Sequence, residues 1–209
     1  MARYRGPDCK LCRADGVKLF LKGKKCLSAK CPINKRNYPP GMHGQRHASK
    51  QSDYAMQLRE KQKCKRSYGI LERQFRRYFS EADRMRGITG ETLLHLLERR
   101  LDNIIFRLGF ASSRSQARQL VRHNHIFVNG KRVNIPSYLV RIGEVIQLKE
   151  SSRQMPTVME SMQLRRSMGG CTWLERDDNA CSRRLLRLPN VSEIALPVQE
   201  QFIVELYSK

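Results

Sequence analysis

Four cysteines near the start of the chain fall into two short pairs, Cys9-x2-Cys12 and Cys26-x4-Cys31, with 13 residues between them. A pair spaced by two to four residues can turn both sulfurs toward one centre, and two such pairs complete a tetrahedron with Zn–S bonds of roughly 2.3 Å. Four protein ligands leave no open coordination position, so a zinc held there would be structural. Lys18, Lys22, Lys24, Lys25 and Lys30 surround the pairs and are expected to lower the thiol pKa, favouring thiolate. The competing states are four reduced thiols or two disulfides. The spacing and the scarcity of large apolar residues nearby favour metal. His43 and His47 are substitute ligands of lesser claim, far along a Pro/Gly-rich loop, and Cys64, Cys171 and Cys181 stand alone as packing or surface thiols.

A second group could do electrostatic work. Arg114, Arg118 and Arg122 recur every four residues, and each step advances about 40° around a helix axis, so they form one ridge. Ala117, Leu120 and Val121 fill the adjoining sector and can pack inward. Lys131 and Arg132 follow just past a hairpin turn. A short helix with an arginine ridge beside a basic hairpin suits the phosphate lines of folded RNA. The bland alternative is an ordinary solvated helix face.

The third group is Lys35-Arg36-Asn37-Tyr38-Pro39-Pro40-Gly41-Met42-His43-Gly44. Pro-Pro-Gly fixes a bent loop of low entropy, and Arg36, Tyr38 and His43 offer ionic and stacking contacts to RNA. Arg59, Lys61, Lys63, Lys65 and Arg66 lie on the helix that follows.

These groups need elements to hold them. Residues 1–50 show little periodicity and read as an irregular arm. Asp53 to Ser67 reads as a helix capped by Ser52 or Asp53. Ile70 to Arg86 carries Leu71, Phe75, Tyr78, Phe79 and Ala82 at helical spacing, ended by Gly87. Glu91 to Leu108 reads as a single helix with Leu93, Leu97, Leu101, Ile104, Ile105 and Leu108 on one stripe and Gly109 as its cap. Ser113 and Gln116 form a capping-box pair for a helix through His123, with Asn124 as a left-handed terminator. Ile126-Phe127-Val128, Asn129-Gly130 and Lys131-Arg132-Val133 predict a hairpin on a type I′ turn. Val145 to Leu148 follows as a strand after Gly143, and Trp173-Leu174 and Arg184 to Leu188 as later ones. Residues 151–170 are weakly patterned and read as an exposed helix at most.

Net charge narrows the partner. The 209 residues carry 41 Lys and Arg against 19 Asp and Glu, a formal +22. Residues 1–86 hold 23 basic and 7 acidic side chains, and residues 151–209 hold 8 and 7. Such a surface repels itself unless a polyanion neutralises it, and the first segment should dominate phosphate contact. No apolar run approaches membrane-spanning length, and no apolar stretch follows Met1-Ala2-Arg3-Tyr4-Arg5 as in a secretory signal. The expected location is the reducing cytoplasm, where clustered cysteines more often bind metal than pair.

At this point specific residues resemble a known family. Leu101-Asp102-Asn103-Ile104-Ile105, Arg107-Leu108-Gly109-Phe110, Ser115-Gln116-Ala117-Arg118-Gln119-Leu120-Val121 and Val128-Asn129-Gly130 are similar to the RNA-binding domain named after ribosomal protein S-four. That domain also occurs in synthetases and RNA-modifying enzymes. The rest of the chain resembles the S-four family itself: Met1-Ala2-Arg3-Tyr4, Tyr38-Pro39-Pro40-Gly41 with His43-Gly44, Leu58-Arg59-Glu60-Lys61-Gln62-Lys63, Glu72-Arg73-Gln74-Phe75 and Ile203-Val204-Glu205-Leu206-Tyr207-Ser208. The cysteines resemble the family's zinc-binding form. The resemblance implies a structural constituent of the small ribosomal subunit, a primary binder of its RNA that nucleates assembly of the subunit body and contributes to translational accuracy. It implies the protein S-five as neighbour and places Arg46 and Lys50 near the path of messenger RNA.

The expected fold is α+β: an irregular zinc-bound arm over 1–50, a helical domain over 51–90 to which 190–209 returns, and a mixed domain over 91–189. That last domain combines helices with a small antiparallel sheet and carries the S-four motif at about 99–160. Candidate metal ligands are Cys9, Cys12, Cys26 and Cys31. Candidate RNA contacts are Arg3, Lys22, Lys35, Arg36, Tyr38, His43, Arg46, Arg59, Lys61, Lys63, Arg114, Arg118, Arg122, Lys131 and Arg132. Two other readings compete. An RNA-modifying enzyme would need a catalytic domain, and residues 151–209 show no nucleotide-binding glycine loop and no acid/base pair in a pocket. A zinc-containing DNA-binding regulator would present a recognition helix, where this chain instead breaks at Pro32 and Pro39-Pro40.

Overall fold

In a computed structural model, residues 3–45, 50–167, 171–177, 182–194 and 196–208 are described. The chain divides into two compact units, residues 1–93 with 195–209 and residues 94–194.

The first unit opens with three short helices, α1 (Asp8–Asp15), α2 (Lys24–Leu27) and α3 (Pro32–Lys35). The arm is thus less irregular than its patternless sequence suggested. It packs on a small apolar cluster of Cys12, Leu19, Cys31 and Ile33, with Leu11, Val17 and Leu21 against it. Helix α4 (Asp53–Tyr68) starts at Ser52, whose hydroxyl accepts from the Ala55 amide. Helix α5 (Glu72–Arg84) is shorter than the expected Ile70–Arg86; it buries Phe75, Tyr78, Phe79 and Ala82 of the expected apolar face, whereas Leu71 precedes the helix as its N-cap and is exposed. The last helix, α11 (Glu200–Tyr207), packs on α4, and the Tyr207 ring stacks 4.5 Å from Phe79 and 6.3 Å from Phe75.

The sequence reading of one helix from Glu91 to Leu108 is corrected. Two helices occupy it, α6 (Thr89–Glu98) and α7 (Leu101–Leu108). Arg100 is extended between them at φ −61° and ψ 135° and forms a β-bridge with Leu139. The Arg99 carbonyl accepts from the Val140 amide, and the Leu101 amide donates to the Tyr138 carbonyl at 2.8 Å. A distant backbone segment has taken the hydrogen bonds a continuous helix would make.

Helix α8 (Arg114–Arg122) follows, capped by the Ser113 hydroxyl accepting from the Gln116 amide. The reciprocal half of the capping box lies one residue earlier than expected: the Gln116 carboxamide oxygen accepts from Ser112, through both its amide and its hydroxyl, at 2.8 Å. Asn124 closes the helix at φ 63°. Strands β1 (Ile126–Val128) and β2 (Lys131–Arg132) pair across Asn129 and Gly130, both at positive φ as a type I′ turn requires. The Asn129 carboxamide also accepts from the Val145 amide at 2.9 Å, tying the turn to β3 (Val145–Leu148). With β4 (Leu174–Asp177) and β5 (Ser182–Leu185) the antiparallel sheet runs β2-β1-β3-β5-β4. Both late strands are displaced from the expected Trp173-Leu174 and Arg184–Leu188.

Two further helices, α9 (Glu150–Arg153) and α10 (Pro156–Ser167), span most of the stretch expected to be exposed. Val158 is fully buried and Ser161 nearly so. Val158 joins the main core with Leu101, Ile104, Ile105 and Leu108 of α7, Ala117, Leu120 and Val121 of α8, and Ile126, Val128, Ile146 and Leu148 of the sheet. Among the described residues no helix is long and apolar enough to cross a membrane.

Candidate nucleic-acid interface

The arm has one internal device for shaping its surface. Arg13 on α1 donates through Nε to the Tyr38 carbonyl at 3.0 Å and through Nη2 to the Pro39 carbonyl at 3.4 Å, with its guanidinium 4.8 Å from the Tyr38 ring centre. A side chain at Gly44 would run into the Pro39 carbonyl. The Pro-Pro-Gly loop is therefore held by Arg13, a residue the sequence reading did not single out. Within the arm Arg3, Lys22, Lys35, Arg36 and His43 are exposed, and Tyr38 is half-buried. Arg46 lies outside the described residues, as do His47 and Cys181.

The thiols of Cys12, Cys26 and Cys31 are buried, Cys9 is half-buried, and all four are free of disulfides. They lie close enough to interact electrostatically. The Leu19 backbone bonds the Cys12 thiol, and the Lys22 amide donates to Cys26 Sγ at 3.3 Å. Among the described residues no group of three or more His, Cys, Asp or Glu side chains is arranged to hold a metal ion as it stands. Burial pushes the Cys12 and Cys26 thiols up, against the expected lowering by the nearby lysines. The donor chemistry nevertheless fits a thiophilic ion: four soft sulfurs, unpaired with one another, two of them accepting backbone hydrogen bonds.

On α4 the candidate cations divide. Arg59 is exposed, whereas Lys63 pairs with Glu60 and Lys61 is buried at 2.6 Å from Glu72. Glu72 also accepts from Lys65 at 2.8 Å and from the Tyr207 hydroxyl at 3.0 Å. Partial burial opposes its charge, but these three donors outweigh it and hold the Glu72 carboxyl down to about 2. Burial and the Glu72 hydrogen bond push the Tyr207 hydroxyl up.

A depressed carboxylate stabilises the fold fully above its unfolded value, near 4.5, and that contribution is lost as pH falls toward 2. Glu72→Gln should destabilise the first unit by about 1 kcal/mol at neutral pH, a figure discounted for solvent screening. Amide exchange in α5 and α11 should accelerate below pH 4.5 in the wild type more than in the variant. Parallel curves would show that the three donors add nothing.

Sequence periodicity also left a complementary stripe unread. Arg73, Arg77 and Arg84 are exposed on the face of α5 away from Phe75 and Phe79. The spacing that found the buried face could have found this one, because positions 4 and 11 residues apart return to nearly the same angle.

In the second unit the arginine ridge is not uniform. Arg122 is exposed, as are Lys131 and Arg132 on the hairpin. Arg114 Nε donates to Asn103 Oδ1 at 2.8 Å, with its guanidinium 4.7 Å from the Phe106 ring centre. Arg118, its side chain 12% exposed, lies 3.5 Å from Asp102 Oδ2. Beneath them the fully buried Arg100 donates to both Asp102 oxygens, at 3.0 and 2.6 Å. The buried Glu98 accepts from Arg107 at 3.1 and 2.7 Å and from Asn103 Nδ2 at 2.7 Å. These carboxylates fix the near end of α8 through hydrogen-bonded charges in a region of low dielectric. The arrangement can present cationic groups in fixed positions to a polyanion. Among the described residues it does not show a nucleophile and base converging on a cavity.

Comparison with known proteins agrees with this division of labour. Residues 3–98 match the ribosomal protein S4/S9 N-terminal domain, and residues 99–146 match the S4 domain. Over all 209 residues, and over the full length of each relative, the chain is 56% identical to the small ribosomal subunit protein uS4 of Natranaerobius thermophilus. It is 57% identical on the same terms to those of Geotalea daltonii and Thermoanaerobacter sp. strain X514.

Proposed function

The chain belongs to the uS4 family of small ribosomal subunit proteins, and from that premise we propose how its surface is used. It is a structural, non-enzymatic constituent of the small ribosomal subunit and binds the subunit's RNA. The observation that carries this reading is the likeness to uS4 proteins along the whole of both chains, joined to an excess of 16 positive charges in residues 1–86.

Three finer steps extend it. First, the protein is a primary binder that docks early and organises the RNA of the subunit body. The two units place exposed cations on the arm, on α4 and α5, and on the hairpin, which favours a binder that joins several RNA segments. Second, Cys9, Cys12, Cys26 and Cys31 hold a structural zinc. When bound, that ion supplies a cross-link among α1, α2 and the start of α3, and so fixes the phosphate-facing lysines. Third, the ribosomal protein S-five is a neighbour and messenger RNA passes near Lys50. The expected location follows from the assembly, the cytoplasmic ribosome.

Affinity for small-subunit ribosomal RNA should fall by at least about a thousandfold between roughly 50 and 200 mM salt, because each neutralised phosphate releases counterions. Filter binding across that range tests it, and a log–log slope near zero would overturn the phosphate reading. Isolated small subunits from the source cell should contain the chain in a one-to-one ratio with the RNA.

A further inference from the structure

Phe20 sits in a backbone conformation that its side chain disfavours. Its φ is 52°, in the left-handed region that a bulky residue occupies only under constraint. The constraint is visible on both sides. Leu19 is 3% exposed in the thiol cluster and its backbone bonds Cys12, while the Lys22 amide donates to Cys26 Sγ. Leu21 packs on the same cluster. The segment is pinned at its flanks, and the ring between them is turned outward, 43% exposed.

The ring is not a member of the arm's apolar cluster, which takes Leu19 and Leu21 from either side of it. Asparagine or glycine would hold the same φ with less strain. A lone exposed aromatic is ordinary on a protein surface, but one kept at a strained position is not. Its surroundings indicate the ligand. Lys22 and Lys25 are exposed within five residues and Lys18 is half-buried, so the ring stands in a cationic field that draws in a phosphate backbone. A flat apolar face beside cations is the arrangement that receives an unstacked base.

We propose that Phe20 is a stacking platform for an unpaired nucleobase of the ribosomal RNA. This rests on the reading of the protein as a binder of that RNA and goes beyond phosphate contact, since it names a base-receiving point on the arm.

The test compares full-length wild type, Phe20→Tyr and Phe20→Asn for binding to small-subunit ribosomal RNA at fixed salt, with thermal melts and salt slopes alongside. Tyrosine keeps the ring and should bind as wild type. Asparagine should melt at or above wild type yet bind about ten- to a hundredfold more weakly, the usual loss of one base stack, with an unchanged salt slope. Wild-type affinity for Phe20→Asn would overturn the platform while leaving RNA binding intact. Equal loss of stability and affinity in both variants would overturn it in favour of a structural ring. Failure of the wild type itself to bind would overturn both readings.

Discussion

Stripping metal from the full-length protein is expected to open residues 3–45 to trypsin while the helices α4, α5 and α11 stay intact. Among the described residues the apolar cluster of the arm has Cys12, Leu19, Cys31 and Ile33 as its buried members, two of them cysteines. Burial on that scale cannot offset the cost of ordering some forty residues, at roughly 1–2 kcal/mol each for the backbone alone. A four-thiolate zinc contributes on the order of 10 kcal/mol of apparent free energy, enough to decide whether a short segment folds. The helices behind it have a core of their own, with Phe75, Phe79 and Ile203 at the centre. Purified protein should therefore carry one zinc per chain. Chelation should expose cleavage sites at Lys18, Lys22, Lys24, Lys25 and Lys30, and RNA affinity should drop by at least about tenfold as those lysines lose their placement. Cys26→Ser should reproduce the effect without chelator. A metal-free preparation whose arm resists trypsin would sink the zinc reading and leave the arm's order to the cluster and to ties such as the Arg66–Asp15 ion pair.

What the sequence made legible was whatever is decided within a few residues. The period of Phe75, Tyr78, Phe79 and Ala82 is a local property, and so is the Asn129-Gly130 turn; both appear where expected. The break at Arg99-Arg100 was not legible, because its cause lies about forty residues away in the backbone of Tyr138 to Val140. The same applies to α10, whose Val158 is buried by a core its own segment does not announce.

The candidate site divides along the same line. Periodicity placed Arg114, Arg118 and Arg122 on one ridge, but it did not show that polar side chains of α7 engage two of them. Asn103 and Asp102 engage the first two, and the third remains exposed. Lys61 reads as surface charge until Glu72, eleven residues later and across a turn, is brought beside it.

Asp102→Ala should be the most damaging single change in the second unit, costing about 3–5 kcal/mol. Arg100 is fully buried, and Asp102 meets it with two hydrogen bonds across the break between α6 and α7. Removing the carboxylate takes two hydrogen bonds and a counter-charge from a guanidinium in the interior, and its desolvation is then less well compensated. Arg118 loses its ion pair with Asp102 in the same step, so one tie of the ridge on α8 to α7 is removed as well. Urea unfolding followed by Trp173, the chain's one tryptophan and a member of the same core, reports the second unit directly. The double variant Arg100→Met with Asp102→Leu separates the two roles. It removes both buried charges together and should recover most of the stability, because apolar side chains of similar volume can replace a buried pair. It cannot return the Asp102 carboxylate to Arg118. RNA affinity should therefore stay reduced in the double variant although the core is restored. Recovery of affinity along with stability would show that Asp102 serves the fold alone and that Arg118 needs no anchor to meet its phosphate.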